Sequence, residues 1–568
     1  MAQIRPICSQ KIPQLGGVCN SRNHGNTCLF AIIRAFAPAL FFGAAFCISV
    51  FLGEMVRADV FESSVLSALT GGRDGASGSV AADNESLLFR GLAQANLSEE
   101  ATSKIEMTSS EALSGETESK ANVIGETKRN SLAVGVGSED YLNRESPPSG
   151  VNHYTQVFAD GRFALPSENF KGVLEIRGSL ATDVENYSNI EVPEAYVGWE
   201  RSASNEDSAS AILAIGRRLE TWSLLDQNWQ LGMWQPLNRF DYIRPQSQGL
   251  TGAFVGYGGP RGKVILFISE LFIPEQGASF TLENGKFQSR NPWFTEPANT
   301  LILFEEATDV VYHLDTPSVG SVINHPSAGL LLRYGQEPGN GEGFFAQSSF
   351  VRKPRNQLAL PFEGYVQLTS STTYVDVTVH PKVTYHSLAA IDLGYHSWLY
   401  SLGTSVLADW SEDPIVPSTL TYQSIKPVYL LSPYAEFRLV PSHYWGPRVH
   451  LAFLQTYGGE ASTKGPLGSN QTVFSSPRIF HQAMSVSMST TLYRRGSIQF
   501  DYGLRWIEEF AENGTLLQND FRLGIGSAWT VALSADVLGS RRPLEETSTF
   551  LSRFRGNDRI FGRVKYVF

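Results

Sequence analysis

From about Val151 to the end of the chain, apolar and polar residues alternate with a period of two. In 497–507, Ile498, Phe500, Tyr502, Leu504 and Trp506 share one parity, and Gln499, Asp501, Gly503 and Arg505 the other. In 528–538, Trp529, Val531, Leu533, Ala535 and Val537 oppose Thr530, Ala532, Ser534 and Asp536. Met484, Val486 and Met488 oppose Ser485, Ser487 and Ser489, and 374–380 sets Val375, Val377 and Val379 against Tyr374, Asp376, Thr378 and His380. Gly, Pro, Asn and Asp separate these segments, each about ten residues long, as turns between strands do. The pattern predicts an all-β body.

The polar parity decides where such a body sits. A soluble sandwich hides its apolar face and shows Lys and Glu outside. Here the polar parity is Ser, Thr, Gly and Gln with scattered Arg and Asp, and aromatics such as Trp506, Trp529 and Tyr566 mark strand ends. Small polar residues on one side and an apolar face ending in aromatics is the pattern of a transmembrane antiparallel β-barrel. Backbone groups in lipid must be paired within the protein, so a strand-rich chain that enters a membrane has to close. The candidate strands between 170 and 568 number sixteen to nineteen. An even count is required of a single-chain bacterial barrel, which gives about 16 strands (14–18). Gly and Pro, as at Pro381, Pro433 and Pro441, blur the count. A barrel of this size leaves a water-filled lumen unless loops plug it.

The N-terminal part is different. Residues 35–53 carry no charge, Arg34 precedes them, and Val56-Arg57-Ala58 offers a cleavage site after Ala58. This predicts a secretory signal peptide with a long leader over 1–58; a retained anchor is the alternative. All 4 Cys (Cys8, Cys19, Cys28 and Cys47) fall in that stretch, which excludes a disulfide scaffold, a zinc ribbon and a Cys nucleophile from the body. Residues 59–150 are acidic, Ser- and Gly-rich and almost free of aromatics. They predict a mostly disordered periplasmic spacer, with one amphipathic helix at most around 85–97. The barrel is then expected over 151–568. With 45 Lys+Arg against 56 Asp+Glu, the chain is net acidic at −11, which argues against nucleic acid as a partner.

The chain ends Arg559-Ile560-Phe561-Gly562-Arg563-Val564-Lys565-Tyr566-Val567-Phe568. Gly562, Val564, Tyr566 and the terminal Phe568 share one face; Arg559, Arg563 and Lys565 share the other. This strand resembles the C-terminal targeting strand of Gram-negative outer-membrane barrels. The resemblance implies Gly562, Val564, Tyr566 and Phe568 as an assembly signal read by the barrel-assembly machinery. The alternating body and end strand, about 400 residues, resemble outer-membrane porins in pattern. That implies a channel in the outer membrane for passive diffusion of small hydrophilic solutes, with lipid and solute as its partners, no cofactor, and a homo-oligomeric state left open.

One segment breaks the alternation. After the apolar run 211–215 come Gly216, Arg217, Arg218, Glu220, Trp222, Asp226, Trp229, Trp234, Arg239, Asp241 and Arg244. It resembles the porin element in which a strand ends on an Arg and the next loop folds into the pore. The resemblance implies a constriction built from Arg217, Arg218, Glu220, Asp226, Arg239, Asp241 and Arg244, where opposed charges set a transverse field. The same residues also fit mutually neutralised lumen charges or a Trp-anchored outer loop. Trp222, Trp229 and Trp234 read as packing residues sooner than as a sugar track. A second break, 274–297, reads as an extracellular loop or plug. Two other readings stay in view: a plugged barrel with a structural, adhesive or surface-assembly role, and a hydrolase. The hydrolase has little behind it. No H-E-x-x-H, G-x-S-x-G or P-loop occurs, no metal spacing of His is present, and the repeated Tyr-His-Ser at His386 and His396 has no evident third member.

Overall fold

The computed structural model describes residues 130–142, 151–165, 170–184, 187–201, 210–259, 262–303, 305–335, 342–368, 372–440, 446–466, 478–543 and 549–568. The expected signal peptide, and the spacer up to residue 129, lie outside them.

Eighteen antiparallel strands form one closed wall. Each wall strand pairs with the next in the chain. The first, Ser131–Tyr141, pairs with the last, Arg559–Val567, from Ala133↔Val567 to Tyr141↔Arg559. The Phe568 amide then donates to Leu132 O (2.8 Å), so the terminal residue completes the seam. Closure leaves no free edge in the wall, as lipid demands.

The alternation divides the side chains between two environments. Val134, Leu213, Ile268, Leu332, Val406 and Leu533 point outward and are exposed; Glu139, Ser405, Ser432 and Asp536 point inward and are buried. Outward aromatics gather at the two ends of the wall. Trp199, Tyr257, Tyr334, Phe344 and Trp529 stand at one end, and Trp410, Tyr429 and Tyr457 at the other. A continuous apolar belt between two aromatic girdles is the outer surface of a transmembrane barrel.

The connections differ by end. At the end where Ser131 and Val567 lie, turns are short: two residues separate Gly259 from Gly262 and Arg495 from Ile498. At the other end lie the long connections 219–249, 270–326, 355–384, 412–427, 459–481 and 541–558. Two of these share a sheet beyond the wall, ordered Thr300–Leu303, Glu306–Leu314, Thr373–Val379, Phe362–Leu368, with its central pair parallel. Two more are joined where Tyr422–Ile425 pairs with Ala461–Lys464. The segment 274–297, expected as an extracellular loop or plug, falls among these long connections.

Four features differ from the expectations. The wall has 18 strands, not 16, the upper end of the expected range. The strand Val428–Arg438 runs straight through Pro433, which read as a break. Its pairing with Arg448–Gly458 passes from Leu431↔Gln455 to Tyr434↔Ala452, leaving Pro433, which has no N–H to give, without a partner on that side. The wall also begins before Val151. The strand Ser131–Tyr141 carries Ala133, Gly135 and Gly137 inward, so its composition looks like spacer. Gly135 is required there: a Cβ would lie 2.4 Å from Val564 O. Finally, 374–380 alternates like a wall strand but belongs to the outer sheet as Thr373–Val379.

A charge placed on the belt tests the assignment of faces. Leu533→Arg is expected to cost about 2–4 kcal/mol in equilibrium folding into vesicles. Thr530→Arg, on the inward parity of the same strand, should stay within about 0.5 kcal/mol.

Candidate functional site

The strand Ser210–Arg218 ends on Gly216, Arg217 and Arg218. Gly216 has φ of +129°, and a Cβ there would meet Ala195 O at 2.2 Å, so only glycine fits. From this point the chain turns into the barrel and stays inside until Leu250.

The segment 219–249 builds its own scaffold. Ser223 caps the short helix Leu224–Trp229, accepting from the Asp226 amide (3.4 Å). Gln230 ends the helix in the left-handed region at φ 51°. The Asp226 carboxylate then accepts from the amides of Met233 (2.9 Å) and Trp234 (3.0 Å), tying the helix to the next turn. Burial pushes the Asp226 carboxyl up, against the pull of these two donors. Around this frame Trp222, Leu225, Trp229 and Trp234 are almost fully buried. The Trp222 and Trp234 rings stack at 5.7 Å, Trp222 meets Phe267 edge-on, and Trp229 Nε1 donates to Ser432 Oγ (2.9 Å). The Trp residues are packing residues, as expected.

Anchors to the wall surround the segment. Gln347 Nε2 donates to Thr221 O (3.1 Å), Ser349 Oγ to Trp222 O (2.5 Å), and Asp392 accepts from the Leu224 amide (3.3 Å). Arg505 donates to Asn228 O (2.9 Å) and Gln518 to Ile243 O (3.2 Å). Arg177 donates to Gln246 (2.6 Å), and the Gly249 amide to Pro193 O (2.9 Å). Outer connections cover the segment from the long-loop end. Tyr242 lies 5.7 Å from Phe550 of the helix Phe550–Arg553, which also stacks on Trp293. Phe240 joins the ring cluster of Tyr187 and Tyr154.

The seven charged residues of the expected constriction are all on or beside this segment, but they do not meet at one point. Arg218 pairs with Glu220 (3.0 Å), which also lies 3.4 Å from Lys263. Burial alone would raise the Glu220 carboxyl; Lys263, Arg218 and Arg333 outweigh it and hold it low. Arg217 lies on the opposite parity and donates to Gly249 O (3.1 Å) and Gln248. Asp226 is structural within the segment. Arg239 lies 2.7 Å from Glu275 of the 270–326 connection. Arg244 reaches Asp520 (2.8 Å) and Asp536 (2.7 Å), and these carboxylates raise it against the opposing effect of burial. Asp241 pairs with Arg559 (2.6 Å), which also holds Glu139 and Asp536. The wall partners Asp392, Ser432, Asp520, Asp536 and Arg559 were not singled out from the sequence. Their inward parity is legible there; which of them a folded-in loop would reach is not.

The two histidines take separate roles. His386 turns inward onto Asp409 (3.1 Å), and Ser387 takes the outward parity. His396 stacks on Phe345 and meets Ser401 (2.7 Å) and not Ser397. Among the described residues no group of three or more His, Cys, Asp or Glu could hold a metal ion.

No family model matches the chain, and no curated protein matches it. Solved structures similar to it include a mutant of Rh. blastica porin, at 10% identity over 77% of this chain and 99% of that one, with a TM-score of 0.32. Others are OccAB4 of Acinetobacter baumannii (7%, 78% and 97%, 0.34) and OccK11 (OpdR) of Pseudomonas aeruginosa (10%, 78% and 95%, 0.35).

Asp226 is the keystone of the segment. Asp226→Ala leaves the buried amides of Met233 and Trp234 without their acceptor, at about 1–3 kcal/mol of local stability. Hydrogen exchange at those two amides should accelerate accordingly, with exchange in the wall strands unchanged.

Proposed function

We propose that the protein is an outer-membrane channel of the porin type, in which the segment 219–249 narrows the lumen so that small hydrophilic solutes pass at low conductance. The observation that carries this reading is that the segment's two sides differ. Toward the strands from Ser327–Gly335 to Ile498–Glu509 it is dry: Trp222, Leu225, Trp229 and Trp234 form one core with Leu331, Leu388, Leu407, Leu430, Leu454 and Ile507. Toward the first strands and the last it meets paired charges, most of them buried, and a few at the margin keep contact with solvent. The side chain of Arg177 is 38% exposed and that of Asp241 27%. Lys565 and Asp160, paired at 2.9 Å, are each 34% exposed. A segment fixed to one wall by apolar packing, with a wet charged margin at the other, leaves a narrow path along that margin.

In this reading Asp241 and Arg244 border the path with the buried pair Arg218–Glu220 behind them, and their pairing gives it a transverse field that sorts solutes by size and dipole. Asp226, Arg239 and Arg217 hold the segment in shape. The short-turn end faces the periplasm, with the N-terminal segment there, and the long connections face outward. Gly562, Val564, Tyr566 and Phe568 serve assembly through the same outward face that later meets lipid. The channel needs no cofactor and performs no chemistry.

The outer sheet favours a second reading, a barrel plugged permanently and used as a binding surface. Its last strand, Phe362–Leu368, exposes Tyr365, Val366 and Leu368. Planar-bilayer recording separates the two. The wild-type protein is expected to show small conductance steps. A variant with 224–243 replaced by a short Gly-Ser linker should show steps several-fold larger. A silent wild type beside a conducting variant would overturn the channel reading and establish the plug as permanent.

A further inference from the structure

Below the segment, on the side of Ser131 and Val567, the inner wall carries two cations that make no ion pair among the described residues. Arg522 and Arg563 occupy one row of the sheet. Both pair in register with Ala532, one from each side. All three share the inward parity, so only a methyl group stands between the two arginines. Adjacent strands lie about 4.8 Å apart, which puts the two arginine backbones roughly 10 Å from each other across that methyl. Each arginine follows a wall anchor of the segment by two residues: Asp520, which holds Arg244, and Phe561, whose ring lies 5.0 Å from the same guanidinium.

The two side chains are placed differently and both have donors to spare. Arg563 lies flat. Its guanidinium sits 5.7 Å from the Phe158 ring and 5.3 Å from the Phe561 ring. Its aliphatic stem crosses Gly137, where a Cβ would come within 3.0 Å of Arg563 Cγ. The rings and the glycine pack against the side chain, and no hydrogen bond or ion pair engages the guanidinium among the described residues. Arg522 Nη1 is buried and has no hydrogen-bond partner. Its register neighbour Asp501 already accepts from Thr491 (2.6 Å) and Gln499 (2.9 Å). Asp501 therefore acts on Arg522 across the sheet without bonding it, whereas neighbouring cations are paired directly. Lys565, Arg559, Arg244 and Arg162 all have carboxylates within reach.

We propose that Arg522 and Arg563 form a binding subsite for the oxyanion group of a solute, a carboxylate or a phosphate, seated over Ala532 just below the inward segment. A planar fork held between rings loses little freedom when it takes an oxyanion in two parallel hydrogen bonds. The buried, unmatched donor of Arg522 gains the partner it lacks. The site lies on the charged margin, so a solute that passes the segment meets it. The inference thus rests on the channel reading, but its test does not depend on conduction.

Saturation-transfer NMR on the full-length folded protein in detergent, with succinate and inorganic phosphate as separate probes, reads binding directly. Heat-modifiable migration on gels confirms that each variant is folded. Wild type should bind at least one probe, and which one identifies the source of the oxyanion. The double variant Arg522→Gln, Arg563→Gln should weaken that binding by about tenfold or more, the effect of losing charge-assisted hydrogen bonds. Arg563→Lys should fall between, because the charge stays and the fork is lost. No binding by wild type, or unchanged binding by the double variant, overturns the subsite. Binding by a protein that never conducts would leave the subsite standing and remove the channel.

Discussion

The constraint on which the rest depends is that every backbone amide and carbonyl in the bilayer must find its partner within the chain. The wall meets it only because Ser131–Tyr141 and Arg559–Val567, more than four hundred residues apart in sequence, pair along most of their length. Neither strand is strongly apolar by itself. Their side chains are small on the inside at Gly135 and Gly137 and basic at Arg563 and Lys565, and the seam is held by ladder bonds more than by packing. The final residue is part of it. Phe568 gives its amide to Leu132 and its ring to the outer girdle beside Tyr566.

Closure creates the second problem. Eighteen strands enclose more space than their own inward side chains fill. The chain solves this with one connection that is rich in Trp and charge together. Apolar burial gives the segment its adhesion to one side. The charges cannot be buried unpaired, because an isolated buried ion is far costlier than a paired one. Three are therefore matched from the wall, Arg244 by Asp520 and Asp536, Asp241 by Arg559, Glu220 by Arg218 and Lys263, while Glu275 of a long connection matches Arg239 and backbone amides of the segment serve Asp226. Apolar packing holds the segment in place, while the ion pairs fix its orientation, since only one placement matches every partner.

Much of this was legible in the sequence, because both the belt and the lumen follow a strict rule of alternation. The outward set in 528–538 and the inward set of Arg559, Arg563 and Lys565 could be read residue by residue. So could the break after Gly216. The legible part stopped where alternation ceases to be diagnostic. Thr373–Val379 alternates because it too has two unlike faces, in a sheet outside the wall. Ser131–Tyr141 was lost in the composition of the spacer, because glycines on a lumen face remove the bulk that marks a strand. The constriction residues could be named as a group, but their partners could not. A charge on a folded-in loop meets whatever the barrel's stagger brings opposite it, and stagger depends on the pairing of all eighteen strands.

The location of unpaired charge then follows from the same logic. Where the segment touches the wall, water is excluded and every ion must be matched within the protein. Where the segment ends, water returns, and an unmatched cation costs little. Arg522 and Arg563 sit at that boundary. Above them Asp520 and Phe561 serve the segment; below them Gly524, Thr530 and Lys565 line the wall. Arg563 is exposed there while Arg522 is half-buried with one donor out of solvent, so a passing anion meets one hydrated cation and one weakly screened one. Pairing these arginines with acids of the wall would have been available to the fold, since Asp501 lies next in register to Arg522. Instead Thr491 and Gln499 occupy that carboxylate, and the arginine is left with a donor to offer.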